Sequence, residues 1–92
     1  MTGRGSTGQL LLGYLPAAVF GPWTFDGGPH GGTVIADIVR TDAYRLTQRP
    51  LTAVMPVGRA TWRRPVVDVS VSGTVLTVTL GPAELKGRSD PP

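Results

Sequence analysis

From Val66 to Leu80 the chain reads VVDVSVSGTVLTVTL, an alternation of apolar and polar positions with period two. Val67, Val69, Val71, Leu76, Val78 and Leu80 share one side of an extended chain; Asp68, Ser70, Ser72, Thr77 and Thr79 take the other, with Val75 the exception. The pattern predicts a β-hairpin with one dry face. A two-residue Ser72-Gly73 loop would pair Val71 with Thr74, Val69 with Leu76 and Val67 with Val78. The apolar surface of one hairpin does not offset the entropy of ordering it, so further strands must cover that face. "TVIADIV" at 33–39, apolar on both faces, "LTAVM" at 51–55 and "QLLLGYL" at 9–15 are the candidates.

Helix is scarce. Gly and Pro punctuate the chain so regularly that no long stretch reads at helical period. At most "TDAYRLTQ" (41–48) makes two turns, with Thr41 or Asp42 as N-cap and Pro50 as the stop, and strand is an equal reading there. In "MPVGRATWRRP" (55–65), Pro56 suits the first corner of a type I turn and Gly58 follows, which marks a hairpin tip. Pro65 has no amide hydrogen and belongs at a strand start, a bulge or an edge. The expected fold class is therefore all-β: a small five- or six-stranded barrel or sandwich with long Gly/Pro-rich loops and a C-terminal β-hairpin at 66–80.

At 92 residues this is one small domain, and with no cysteine it has neither disulfides nor thiolate-held metal to supplement a small core. Residues 1–9 and 83–92, polar or ending in prolines, read as flexible tails around a β domain at 10–82. The apolar run Leu10–Phe20, interrupted by Gly13 and Pro16, falls well short of the roughly 20 residues a membrane span needs. No secretory signal pattern precedes it, so the chain is expected to be made and used inside a cell without a membrane partner. Among the basic residues Lys86 is the single lysine, and with abundant valine, alanine and glycine this points to a GC-rich coding genome of actinobacterial or viral type.

Candidate chemistry is thin. "GPWTFDGGPHGG" (21–32) has the backbone freedom to cradle an anion, yet it lacks the Lys-Ser/Thr and the following helix of a phosphate loop. It is expected to be a flexible connection anchored by Trp23 and Phe25. His30, the sole histidine, has no metal-ligand cluster around it in sequence, and no nucleophile elbow accompanies it. Neither a catalytic residue, a metal nor a cofactor is expected, and the chain reads as a non-enzyme.

Charge changes the picture more. Residues 40–64 hold Arg40, Arg45, Arg49, Arg59, Arg63 and Arg64 against Asp42 alone. Arg45, Arg49, Arg59, Trp62, Arg63 and Arg64 are the candidate contact residues, an aromatic-plus-cation set suited either to a subunit interface or to nucleic acid. The first reading makes a homo-oligomeric ring; the second makes an SH3-like or OB-like module that binds through Arg59, Trp62, Arg63 and Arg64. A ring around DNA satisfies both.

The segment "TVIADIVRTDAYRLTQRPLTAVMPVGRATWRRPVVDVSVSGTVLTVTLGP" resembles, in its Arg-rich, Gly/Pro-punctuated β character and final hairpin, small virion proteins of actinobacterial tailed bacteriophages. Among these it is most similar to head-to-tail connector proteins of the stopper type. That resemblance implies a small β-barrel in a ring below the portal, a non-enzymatic role and a place in the virion, assembled in the host cytoplasm. It also implies other virion proteins as partners (portal or adaptor, tail tube or capsid), and contact with DNA through an extended loop, for which 41–64 is the candidate. Several stoppers have a longer N-terminal strand region than this chain, which leaves a capsid decoration or minor tail protein as alternatives.

Overall fold

The computed structural model describes residues 2–82. Its strands are β1 (Thr2–Gly5), β2 (Gly8–Leu12), β3 (Leu15–Gly28), β4 (Gly31–Thr41), β5 (Thr52–Val57), β6 (Ala60–Ser72) and β7 (Val75–Leu80), with one helical turn, α1 (Ala43–Leu46), between β4 and β5. Every pairing is antiparallel, in the order β1-β3-β2-β5-β6-β7-β4, and β4 returns to pair with β3. Six strands thus close into a barrel, and β1 is an extra strand that pairs with β3 beyond the stretch paired with β2. The all-β barrel and the C-terminal hairpin agree with the sequence reading.

The connections are tighter than expected. Leu12 pairs with Leu15, Val57 with Ala60 and Ser72 with Val75, so three hairpins are joined by two residues each. In all three the first loop residue is a glycine at positive φ: Gly13 (66°), Gly58 (60°) and Gly73 (61°). That is the position at which a type II′ hairpin turn calls for glycine. The loop of the last hairpin is therefore Gly73-Thr74, one residue later than the expected Ser72-Gly73. The pairing moves by two positions, Val69 meeting Val78 and Val71 meeting Leu76, and an even shift leaves each side chain on its face.

What does change faces is Val67. Val66 opposes Leu80 and Asp68 opposes Thr79, so Val67 is the extra residue of a bulge. Val66 turns inward at 7% exposure while Val67 lies outside at 60%, the reverse of the strict alternation the sequence suggested. Beyond the bulge Val69 and Val71 face the same way as Val78 and Leu76. Val71 remains 49% exposed because β5 pairs with β6 only from Ala60 to Pro65 and leaves the far half of β6 uncovered on that side. Pro65 marks this exchange of partners: its carbonyl accepts from the Gly81 amide (2.8 Å), while the Val66 amide donates to Leu51 (2.9 Å).

Two stretches expected to be irregular are strand. "GPWTFDGGPHGG" supplies the end of β3, a Pro29-His30 turn and the start of β4, with Trp23 and Phe25 on the inner face opposite Ala36 and Val34. Part of the expected N-terminal tail is β1 and the start of β2, which run along β3 from Thr2 opposite Asp26 to Leu12 opposite Leu15. Its glycines make this fit: a Cβ on Gly5 would lie 2.6 Å from the Trp23 ring, and one on Gly3 would lie 3.2 Å from the Trp62 ring. Glycine lets β1 lie flat over the aromatic end of the barrel. The expected C-terminal tail at 83–92 falls outside the described residues.

The core joins Leu10, Phe20, Trp23, Phe25, Val34, Leu51, Met55, Leu76, Val78 and Leu80, with Trp62, Leu46 and Val69 packed against it. Of the two readings of 41–48, helix holds for one turn. Asp42 caps it, its carboxylate accepting from the Arg45 amide (3.1 Å).

Candidate functional site

Strand parity decides which of the six sequence candidates can meet a partner. On β6 the even residues Trp62 and Arg64 point inward with Val66, and the odd residues Thr61 and Arg63 point outward. Trp62 meets Phe25 edge-on (ring centroids 5.8 Å apart) and Trp23 at a tilt (6.1 Å). Arg64, only 7% exposed, sits over the Phe25 ring, its guanidinium carbon 5.4 Å from the centroid. Its Nε and Nη2 donate to the Gly81 carbonyl (3.2 and 2.8 Å), and Nη2 also donates to the Gly28 carbonyl (2.9 Å). Burial lowers its pKa from the ordinary arginine value. Arg64 therefore ties the end of β7 to the end of β3 and is not free to grip a ligand, and Trp62 is half-buried with its ring packed against the aromatic core.

The other four are outside, in unequal states. Arg45 is held by the Asp42 carboxylate (3.5 Å) and donates to the Pro16 carbonyl (2.9 Å). Arg49 is exposed but folds back on the Leu46 and Gln48 carbonyls (3.0 and 2.8 Å). Arg59 occupies the β5–β6 turn and Arg63 the outer face of β6, both exposed. The segment 41–64 is thus the end of β4, α1 and the β5–β6 hairpin of the barrel itself, where an extended loop was expected. His30 lies exposed on the β3–β4 turn.

A fuller arrangement emerges when the outward residues are followed across the strands. One row runs Arg40–Val19–Gln9–Val54–Arg63 through β4, β3, β2, β5 and β6, with both arginines exposed. On the rest of the wall a second row runs Thr2–Asp26–Thr33–Thr79–Asp68 through β1, β3, β4, β7 and β6. Next to it lies Arg4–Thr24–Ile35–Thr77–Ser70, and beyond that Asp37 opposite Val75. The outer surface is divided, with arginines over one part and Asp26, Asp37 and Asp68 over the other, where Arg4 is the exception.

The sequence reading passed over the three aspartates because they are scattered along the chain. Alternation alone put Asp68 outside, but only the pairing register joins it to Asp26. Two shallow open depressions accompany these faces. One, of about 410 Å³, is bordered by Pro16–Val19 and by Arg40, Asp42 and Arg45; the other, of about 660 Å³, lies over β1, β3 and β4 beside Arg4 and Asp26. Among the described residues no three His, Cys, Asp or Glu side chains gather in a group that could hold a metal ion. No protein-family model, no curated protein and no solved structure matches this chain.

Proposed function

We propose that this chain is a non-enzymatic structural subunit of a tailed-phage virion, a head-to-tail connector of the stopper type that works as a homo-oligomeric ring. The virion assignment rests on the resemblance of Thr33–Pro82 to small actinophage structural proteins. The assembly assignment rests on one observation: the outer wall is divided into an arginine part and an aspartate part whose charges are almost all without ionic partners among the described residues. Exposed apolar side chains, including Ile35, Val39, Tyr44 and Val67, add surface of the kind that subunits cover. Other virion proteins, a portal or adaptor on one side and a tail tube or capsid protein on the other, are the partners this role requires.

Mass spectrometry of particles purified from a host carrying the gene tests the reading. The chain is expected in them at a fixed copy number, and a deletion is expected to yield heads without tails. Intact infectious particles that lack the chain would refute the assignment.

Nucleic-acid binding is the second reading, favoured by the exposed Arg40, Arg59 and Arg63. With Arg64 buried and Trp62 half-buried against Trp23 and Phe25, it rests on phosphate contacts more than on aromatic stacking. It predicts DNA affinity that falls steeply with salt and shows little sequence preference.

A further inference from the structure

We infer that copies of this chain join head to tail, the Asp26–Asp68 row of one barrel seating on the Arg40–Arg63 row of the next. This rests on the ring reading above and names the surfaces that would make the ring. Among the described residues the one ion pair is Arg45–Asp42. Arg4, Asp26, Asp37, Arg40, Arg59 and Arg63 are exposed with no ionic partner among the described residues, and exposed Asp68 accepts there from the neighbouring Val69 amide (3.0 Å). The two sets occupy different rows of one closed sheet, and among the described residues no ion pair joins one row to the other.

The rows match in scale. Asp26 and Asp68 stand three strand spacings apart, ~14 Å along the curved sheet, and Arg40 and Arg63 stand four apart, ~19 Å. The long arginine side chains can take up the difference. Between the charges each row is floored by uncharged residues, Thr33 and Thr79 on one, Val19, Gln9 and Val54 on the other, while exposed Arg4, in the row adjoining Asp26, is a like charge that the acidic face turns toward the arginine row. Ile35, 51% exposed in the row adjoining Asp26 and Asp68, supplies apolar surface at the centre of the acidic face.

The charges rule out a contact of like faces, which would bring aspartate to aspartate or arginine to arginine. Opposite faces attract: where each interface uses one acidic and one basic face, the contact propagates from copy to copy until it closes, whereas a reciprocal pair in which each copy gives both faces to one partner stops at a dimer, so the mass of the oligomer separates the two. A polyanion would engage the arginine row but leave the aspartate face unexplained.

Light scattering on four samples tests this: the wild type, a variant with Asp26→Arg and Asp68→Arg, a variant with Arg40→Asp and Arg63→Asp, and an equimolar mixture of the two variants. All four positions are exposed, and circular dichroism with thermal melting checks that each variant folds. The wild type is expected to be oligomeric and each variant alone monomeric, with a dissociation constant raised at least tenfold. The mixture is expected to assemble again, because each reversed face then meets an opposite charge.

A monomeric wild type would overturn the inference. So would variants that assemble like the wild type, or a mixture that stays monomeric although the wild type assembles. Those last two results would leave the virion reading standing, since its test is presence in particles. Duplex DNA that binds the wild type, but not the Arg40→Asp and Arg63→Asp variant while that variant keeps its oligomeric mass, would assign the row to nucleic acid and also overturn the inference.

Discussion

The two halves of β6 are built for different ends. From Ala60 to Pro65 the strand pairs with β5 and turns Trp62 and Arg64 inward, where an aromatic cluster, β1 and the carbonyls of Gly28 and Gly81 enclose them. From Val66 to Ser72 it pairs with β7 and, past the bulge, offers Val69 and Val71 to an end of the barrel that is only partly filled. The first half uses its aromatic and cationic residues to seal the fold. The second leaves apolar and acidic side chains at the surface. Residue chemistry that suggests binding is thus consumed by packing in one half, and surface free for a partner lies where the sequence looks plain.

Substitutions along β6 sharpen this contrast. Trp62→Ala is expected to cost about 3 kcal/mol of unfolding free energy in a urea titration, the low end for a tryptophan truncation because the side chain is not fully buried. Val71→Ala, at the open end, is expected to cost less than about 1 kcal/mol, since half its surface is already wet. Equal losses would mean the two ends are packed alike.

Next in size is the pair Arg64 and Arg63. Arg64→Met strips the donors from two carbonyls enclosed in the fold, with an expected loss of about 2–3 kcal/mol, whereas Arg63→Met on the outer face should stay within about 0.5 kcal/mol. A neutral Arg64→Met would show that those carbonyls reach water and that Arg64 is available for contacts. Smaller again, Val66→Ala is expected to lose about 1–2 kcal/mol and its neighbour Val67→Ala about 0.5 kcal/mol or less. The reverse order would place the bulge elsewhere and restore the unbroken alternation.

Much of this fold is legible in the chain. The alternation from Val69 to Val71 and from Leu76 to Leu80 gives the last hairpin its faces, and Gly73 gives it a turn. The bulge is not legible, because "VVDVSV" alternates as well with Val67 inside as with Val66 inside, and only pairing with β7 chooses. The N-terminal strand was hidden for a related reason. "TGRG" is too poor in apolar side chains to signal a strand, and its glycines have a purpose only once Trp23 and Trp62, distant in sequence, lie beneath them.

Of the candidate site, the arginine excess was visible and its sorting was not. Trp62 and Arg64 fall on the same parity as Val66, a hint that both turn inward. Arg40 joins Arg63 only through the intervening strands, and the aspartates become a face only through pairings that bring residues 26, 33, 79 and 68 side by side.

On the proposed reading this barrel acts through charged surfaces presented to copies of itself and to other virion proteins. Sedimentation velocity of the wild type across a range of protein concentrations, at low and at high salt, tests it most directly. The expected result is a discrete oligomer at low salt that dissociates toward monomer as the faces are screened. A monomer at every concentration and every salt would contradict it.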